Sequence, residues 1–293
     1  QRSGRCGRVS EGIAIRLYSE EDFESRPEFL DPEILRTHLA SVILQMGHLR
    51  LGNPEEFPFI EPPETRQIRE GFQTLRELKA VRHNGTLTRL GRDLAILPID
   101  PRFGAMMLEG AKRGVGHELV VLVAGLSIQD PRERPLDKQQ QADEKHRLFR
   151  VPNSDFLSLL NLWAWYQGEV PNHTQSQLRK ICRAHFLNFM RMREWFDLYQ
   201  QLLSVLKTLK VKINPFPKNS VENQPKEVQE GAYTFPSFSA DLIHQSILVG
   251  ILDQIGEQGE DKIFTGTNHR KFRIFPGSFL FKKPPKGVMS LEI

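Results

Sequence analysis

Apolar residues recur every three or four positions through most of this chain, and that spacing predicts a mainly helical protein. Ile34, Leu35, Leu39, Val42, Ile43 and Met46 share one helical face, and Asp31-Pro32 ahead of them offers a cap and a first-turn proline. The proline-rich stretch Gly47–Glu64 reads as loop. Ile68, Phe72, Leu75 and Leu78 place a second helix over Glu64–Leu78. Ala80–Thr88 then carries Asn84-Gly85 between short β-prone runs, the favoured dipeptide of a two-residue hairpin turn. Two helices and a hairpin predict a winged helix, with Gly91–Leu97 as a short helix leading out of it. Asp100-Pro101 starts a further helix that Gly114 stops, and His117–Ile128 reads as a buried apolar helix. Polar Gln129–Gln141, with two prolines, reads as a loop or short irregular piece. Pro152-Asn153-Ser154 opens another helix carrying Phe156, Leu159, Leu160, Leu162 and Trp163. Gln175–Leu209 holds neither proline nor glycine and exceeds a typical helix, which predicts a break into two. Together these segments make a helical bundle.

Two regions depart from helical spacing. Gly12–Tyr18 alternates Ile13, Ile15 and Leu17 with smaller or polar neighbours, which predicts a strand. No second strand follows nearby. The pattern leaves open whether it is the tail of a sheet domain lying upstream or a native strand pairing elsewhere. Pro215–Ser239, with four prolines, reads as a linker or insertion. Ser239 is expected to cap a helix running to Ile255, with Gly256 ending it. Lys262–Thr265, Lys271–Phe275 and Ser278–Lys282 are short strand-like runs that predict a small β-barrel of the oligonucleotide-binding (OB) type. The chain opens on Gln1 rather than Met and stops at Ile293, so a cut beginning and a truncated barrel are expected.

Composition sets limits on this picture. With 39% hydrophobic and 26% charged residues, the chain has material for sizeable cores, which excludes wholesale disorder. No run approaches the roughly 18 apolar residues of a membrane span. The first ten residues carry three arginines and no apolar core, unlike a signal peptide. Cys6 and Cys182 are too few and too distant for a disulfide framework or zinc site, so a reducing cytoplasm is expected. A net charge of +4 and a pI near 9.1 predict an acidic partner.

The candidate chemistry is basic rather than catalytic. The chain has no glycine-rich phosphate loop ending in Gly-Lys-Thr/Ser and no zinc-protease His-Glu pair. Cys182 and His185, three apart without further ligands nearby, read as core or surface residues rather than ligands, and no metal site is expected. Asp143, Glu144 and Asp155 have no partner that the sequence identifies. Lys262–Lys286 carries seven Lys/Arg and no acid, with Phe264, Phe272, Phe275, Phe279 and Phe281 interleaved. Such charges track phosphates, while aromatic rings stack on unpaired bases. The phenylalanines are read here as barrel core and the charges as a nucleic-acid surface. A second cluster, Arg179, Lys180, Arg183, Arg191 and Arg193, reads equally as a solvated helix face. The candidate nucleic-acid-binding residues are Arg191, Arg193, Arg270, Lys271, Arg273, Lys282 and Lys283.

Longer stretches carry a family resemblance. Gln1–Arg8, of the form Gln-Arg-x-Gly-Arg-x-Gly-Arg, resembles motif VI of superfamily 2 helicases of the DEAH-box/RNA helicase A type. Thr86–Arg102 (Thr-Leu-Thr-Arg-Leu-Gly-Arg-Asp-Leu-Ala-Ile-Leu-Pro-Ile-Asp-Pro-Arg) resembles that family's junction between winged helix and helical ratchet domain. Leu126–Pro135, Asp143–His146 and Ser154–Leu157 resemble the bacterial HrpA branch, as do Phe275–Ser278 and Leu280–Lys286. The chain departs from the family pattern at Gly287, where tryptophan is usual. The Walker A and Asp-Glu-Ala-His motifs belong upstream of Gln1.

The resemblance implies that the parent is an ATP-dependent RNA helicase moving on single-stranded RNA, with ATP and Mg²⁺ held by upstream RecA-like domains. It implies that Gln1 positions the attacking water and that Arg5 and Arg8 act as arginine fingers, whose guanidinium answers charge on the transferring phosphoryl group. The isolated chain is expected to bind no nucleotide and to be inactive as an ATPase. The expected organisation is the end of the second RecA-like α/β domain (1–27), winged helix (28–97), helical ratchet bundle (98–213), linker (214–238) and OB-like unit with a leading helix (239–293). The alternative is a non-enzymatic winged-helix nucleic-acid-binding protein.

Overall fold

The computed structural model describes residues 6–7, 9–26, 39–217 and 236–291. Near the start, Ser19 caps the short helix α1 (Glu20–Glu24) by accepting a hydrogen bond from the Asp22 amide at 3.1 Å. Gly12–Tyr18 is not a strand: Ile13, Ile15 and Leu17 are exposed, and the segment pairs with no strand among the described residues. Alternation alone does not make a strand where nothing supplies the ladder. Residues 31–38 of the helix expected from Asp31 lie outside the described residues, and the later part of that apolar pattern falls in α2 (Ala40–Leu49).

Helix α3 (Thr65–Glu77) starts with a reciprocal capping box between Glu64 and Gln67. The hairpin follows as a single bridge, Val81 to Leu87. Its turn is not the expected two-residue type. The Arg82 amide donates to the Thr86 carbonyl at 2.9 Å, which encloses His83, Asn84 and Gly85. Gly85 alone takes a positive φ, 80°, whereas the two-residue form needs Asn84 there too. Thr88 then caps α4 (Arg89–Ile96) through the Gly91 amide at 3.1 Å.

Asp100 and Pro101 start α5 (Pro101–Arg113), and Gly114 ends it in the left-handed conformation, φ 79°. Helix α6 (Gly116–Leu126) is the centre of the molecule: Leu119 through Ala124 are fully buried. The stretch read as a loop instead ends in α7 (Gln139–Arg147). Helix α8 (Asp155–Glu169) is capped by Ser154. The long helical stretch does divide, into α9 (Gln175–Ala184) and α10 (Phe189–Thr208). The break is pinned from outside. Phe186 takes a φ of 54°, its carbonyl accepts from the Glu133 amide, and the Asn188 amide donates to the Pro131 carbonyl. Helix α6 packs against α5, α8 and α10, giving one continuous core.

Helix α11 (Ala240–Leu248) packs on α5 and α6 and stops well before the expected Ile255. At Gly250 a Cβ would come within 2.7 Å of the Arg102 carbonyl oxygen, so the chain passes too close to α5 for a side chain. Ile255 instead begins β1 (Ile255–Gln258). With β2 (Phe264–Gly266), β3 (Lys271–Phe272) and β4 (Gly287–Met289) it forms an antiparallel sheet in the order β3-β2-β1-β4. The sheet is open, so the expected barrel is corrected to a small sheet. Ser278–Lys282 joins no strand; it folds over the helical region instead. Among the described residues no helix is long and apolar enough to cross a membrane.

Candidate nucleic-acid interface

The loop that leaves the sheet and the segment between α6 and α8 face each other across a cleft of about 340 Å³. Two backbone turns build it. On the helical side, the Asp130 carboxylate accepts from the Arg132 amide at 2.9 Å and from its guanidinium at 2.7, 3.0 and 3.2 Å. On the sheet side, Ser278 N–H donates to the Phe275 carbonyl at 2.9 Å, closing the turn Phe275-Pro276-Gly277-Ser278. Asp155, the first residue of α8, fastens this turn down. Its carboxylate accepts from the Ser278 hydroxyl at 2.6 Å and from the Phe279 amide at 3.0 Å. Arg150 adds a donor to the Phe279 carbonyl at 3.1 Å and lies 5.0 Å from the centre of its ring.

The lining holds Arg132, Arg134, Arg147, Arg150 and Lys282 against the carboxylates Asp130 and Asp143. Burial alone would raise the Asp130 pKa, but the bonded Arg132 outweighs it and holds the carboxyl below its ordinary value. Asp143 is likewise held down, by the two-pronged bond from Arg134 at 2.8 Å on each oxygen. Both acids are thus ionised and each neutralises one arginine. Arg147, Arg150 and Lys282 make no ion pair with a carboxylate among the described residues, although Asp143 also feels the charge of Arg147. Burial pushes His146 below the usual imidazole pKa, so it adds no charge at pH 7, and its Nε2–H donates to the Phe186 carbonyl at 3.1 Å. The cleft therefore presents an uncompensated positive lining beside an aromatic loop, suited to an anionic chain. Among the described residues no group of His, Cys, Asp and Glu could hold a metal ion.

Of the residues singled out by sequence, Lys282 lines this cleft and Lys283 is exposed beside it. Arg270, Lys271 and Arg273 are exposed on and around β3, outside the cleft. Arg191 is half-buried and donates to the Asp130 carbonyl at 2.9 Å, bracing the turn rather than facing a ligand. Arg193 is exposed on α10. Arg179 and Arg183 line a different cleft, about 430 Å³, with Glu133, Asp137 and Lys138. Gln1, Arg5 and Arg8 lie outside the described residues. Cys182 is fully buried, and His185 hydrogen-bonds the Ile181 carbonyl at 2.9 Å. Arg132, Arg134, Arg147 and Arg150 escaped the sequence reading because they are spread over nineteen residues with acids between Arg132, Arg134 and Arg147, and only the fold gathers them.

Residues 100–159, which include α5, α6, α7 and the helical wall of the cleft, match the helicase associated domain (HA2), ratchet-like. The whole chain is 49% identical over 299 residues to the ATP-dependent RNA helicase HrpA of Escherichia coli (strain K12), and covers 22% of that protein. It is 47% identical over 301 residues to the HrpA homolog of Haemophilus influenzae, again 22% of its length. The probable ATP-dependent RNA helicase DHX35 of Homo sapiens is 29% identical over 296 residues, of which the chain covers 38%. The chain thus spans about a fifth of its HrpA relatives. With its full length aligned to them and a ratchet-like HA2 segment at its centre, this chain is similar to one segment of the HrpA-type ATP-dependent RNA helicases.

Proposed function

We propose that this chain is the accessory nucleic-acid-handling part of an ATP-dependent RNA helicase, gripping single-stranded RNA while other domains of the same protein turn over ATP. The observation that carries the reading is the cleft between the HA2 segment and the sheet loop, where Arg147, Arg150 and Lys282 stand without opposing carboxylates. A strand that must slide needs a grip on phosphates rather than on base identity, and isolated cations supply that.

In this reading α2, α3, the hairpin and α4 form a winged helix within 28–97, the ratchet bundle spans 98–213, and 239–293 is an OB-like unit joined through 214–238. Residues 1–27 close a RecA-like domain. Gln1, Arg5 and Arg8 would serve motif VI there, facing ATP and Mg²⁺ held by the upstream domain. The chain lacks the phosphate loop, and no step of ATP hydrolysis is assigned to its described residues. The protein would work in the cytoplasm, with single-stranded RNA and the upstream RecA-like domains as partners. The similarity to helicases along the whole chain favours this over a non-enzymatic winged-helix regulator.

The test is a salt titration of oligouridylate affinity. Each phosphate neutralised on a single strand contributes about −0.7 to the slope of log affinity against log salt. Changing Arg147 and Lys282 together to glutamine is expected to flatten the slope by up to about 1.4. Changing Arg270, Lys271 and Arg273 together should flatten it by up to about two units if β3 also touches the strand. A slope unchanged in both variants, with circular dichroism showing folded protein, would remove the RNA path from this face.

A further inference from the structure

Five phenylalanines are interleaved with the basic residues at the C-terminal end, and the fold treats them differently. Phe264 is fully buried and stacks on Phe272 at 5.5 Å between centroids. Phe279 is half-buried beneath Arg150. Phe275 is 77% exposed, the most open of the five. Yet its position is tightly determined. The turn that carries it is closed by the Ser278 amide and anchored to α8 through Asp155. A Cβ on Gly277 would come within 2.7 Å of Phe275 Cε1, so the ring lies against the bare glycine backbone. One side of the ring is thus supported, and its exposure leaves the rest to solvent at the wall of a cleft that Arg147 and Lys282 also line.

We propose that Phe275 is a stacking platform for one unpaired base of a single strand whose phosphates run along the cleft. The assignment rests on the reading of the cleft as an RNA site. An apolar ring presented to water by an anchored turn gains by covering its free face, and a base offers a flat π-surface of matching size whatever its identity. The neighbouring cations hold the flanking phosphates, so ring and charges divide the strand between them. Proline at 276 and glycine at 277 serve the platform: one limits the backbone, the other lets the ring settle.

The experiment compares oligouridylate with an abasic oligoribonucleotide of equal length, by fluorescence anisotropy at fixed salt. Phe275→Ala should weaken oligouridylate binding about five-fold to more than a hundred-fold, the range for loss of one stacked base. Its affinity for the abasic strand should match wild type, and its salt slope should not change. Phe275→Trp should bind oligouridylate at least as tightly as wild type. The exposure of Phe275 means that alanine opens no cavity, and thermal melts would check that both variants fold. Equal losses on both strands, or no loss on either, would overturn the platform while leaving the cleft's affinity intact. If wild-type protein binds neither strand, the RNA reading fails and takes the platform with it.

Discussion

Trp195 lies with its indole against Gly125 of α6 and donates its Nε1–H to the Val121 carbonyl at 2.8 Å. A Cβ at position 125 would come within 2.6 Å of the six-membered ring, and Trp195 is fully buried with Trp163 5.1 Å away. The indole has nowhere to withdraw. Gly125→Ala should gain about 1 kcal/mol of helix propensity. Overpacking should cost about 1–3 kcal/mol, so a net loss is expected. Urea denaturation checks this: the midpoint should fall, and a midpoint at or above wild type would mean the core has slack here. The same scale separates what residue identity reveals from what it hides. From the lack of co-ligands, Cys182 and His185 read as core or surface residues, and the fold decides for the core at Cys182. Burial now raises the Cys182 thiol pKa to about 11, as expected of an inert core cysteine. The partners of Asp155 were not readable, because Ser278 is 123 residues away and no local pattern encodes such a pairing; Arg134 reaches Asp143 from nine residues away, across a stretch read as loop.

At the scale of elements, the turn Phe275–Ser278 depends on a helix it does not follow in sequence. Asp155 is the first residue of α8, on the helix that Ser154 caps. Asp155→Ala would leave the Ser278 hydroxyl and Phe279 amide without their acceptor. Bonds to a charged group contribute about 1.5–3 kcal/mol each, less once water re-solvates the freed donors. Hydrogen exchange should therefore accelerate in 275–282 while α6 stays protected. Unchanged exchange in that loop would show that Arg150 alone holds it. Element boundaries divide the same way. Capping residues marked the starts of α5, α8 and α11 correctly, whereas α4 begins at Arg89, ahead of the expected Gly91. The place where α9 gives way to α10 was not marked. Pro131 and Glu133 pin it from another part of the chain. The early end of α11 follows from close approach to α5 at Gly250, and Arg102 then pairs with Asp253 through two 2.9 Å bonds.

Across the whole molecule, three half-buried histidines tie distant segments together while uncharged. His117 donates from Nδ1 to the Asn214 carbonyl at 3.0 Å, which leaves Nε2 to accept from the Tyr199 hydroxyl at 2.5 Å. His244 on α11 meets the Ser154 hydroxyl of the α8 cap at 2.8 Å, and His146 joins α7 to the α9–α10 break. Burial pushes all three below their ordinary pKa. The unfolded chain therefore binds protons that the folded one resists, and stability must fall as pH drops through about 6.5. The melting temperature should be lower at pH 5.5 than at 7.5, and His117→Asn should show a smaller difference. Glu118, whose buried carboxyl is pushed up, acts in the opposite sense. A melting temperature that does not fall on acidification would mean these rings admit a proton without disturbing their contacts.

Unlike α1 and α7, the buried character of α6, the division of the long helical stretch and the resemblance to RNA helicases were all determined by the sequence alone. Each rests on local signals: apolar spacing, caps, glycine and proline, and runs of residues shared with relatives. Tertiary structure decided the rest. Ser278–Lys282 reads as a strand-like run, yet hydrogen bonds to Asp155 and from Arg150 draw this stretch over the cleft instead of into a barrel. Arg132, Arg134, Arg147 and Arg150 look unremarkable among their acidic neighbours. Only the pairing of Asp130 and Asp143 with two of them leaves the others uncompensated. Phe264 and Phe275 are the same residue type eleven positions apart; one fills the core and the other faces solvent. Burial, pairing and net local charge are properties of neighbours in space, and neighbours brought together across more than a hundred residues leave no period in the chain.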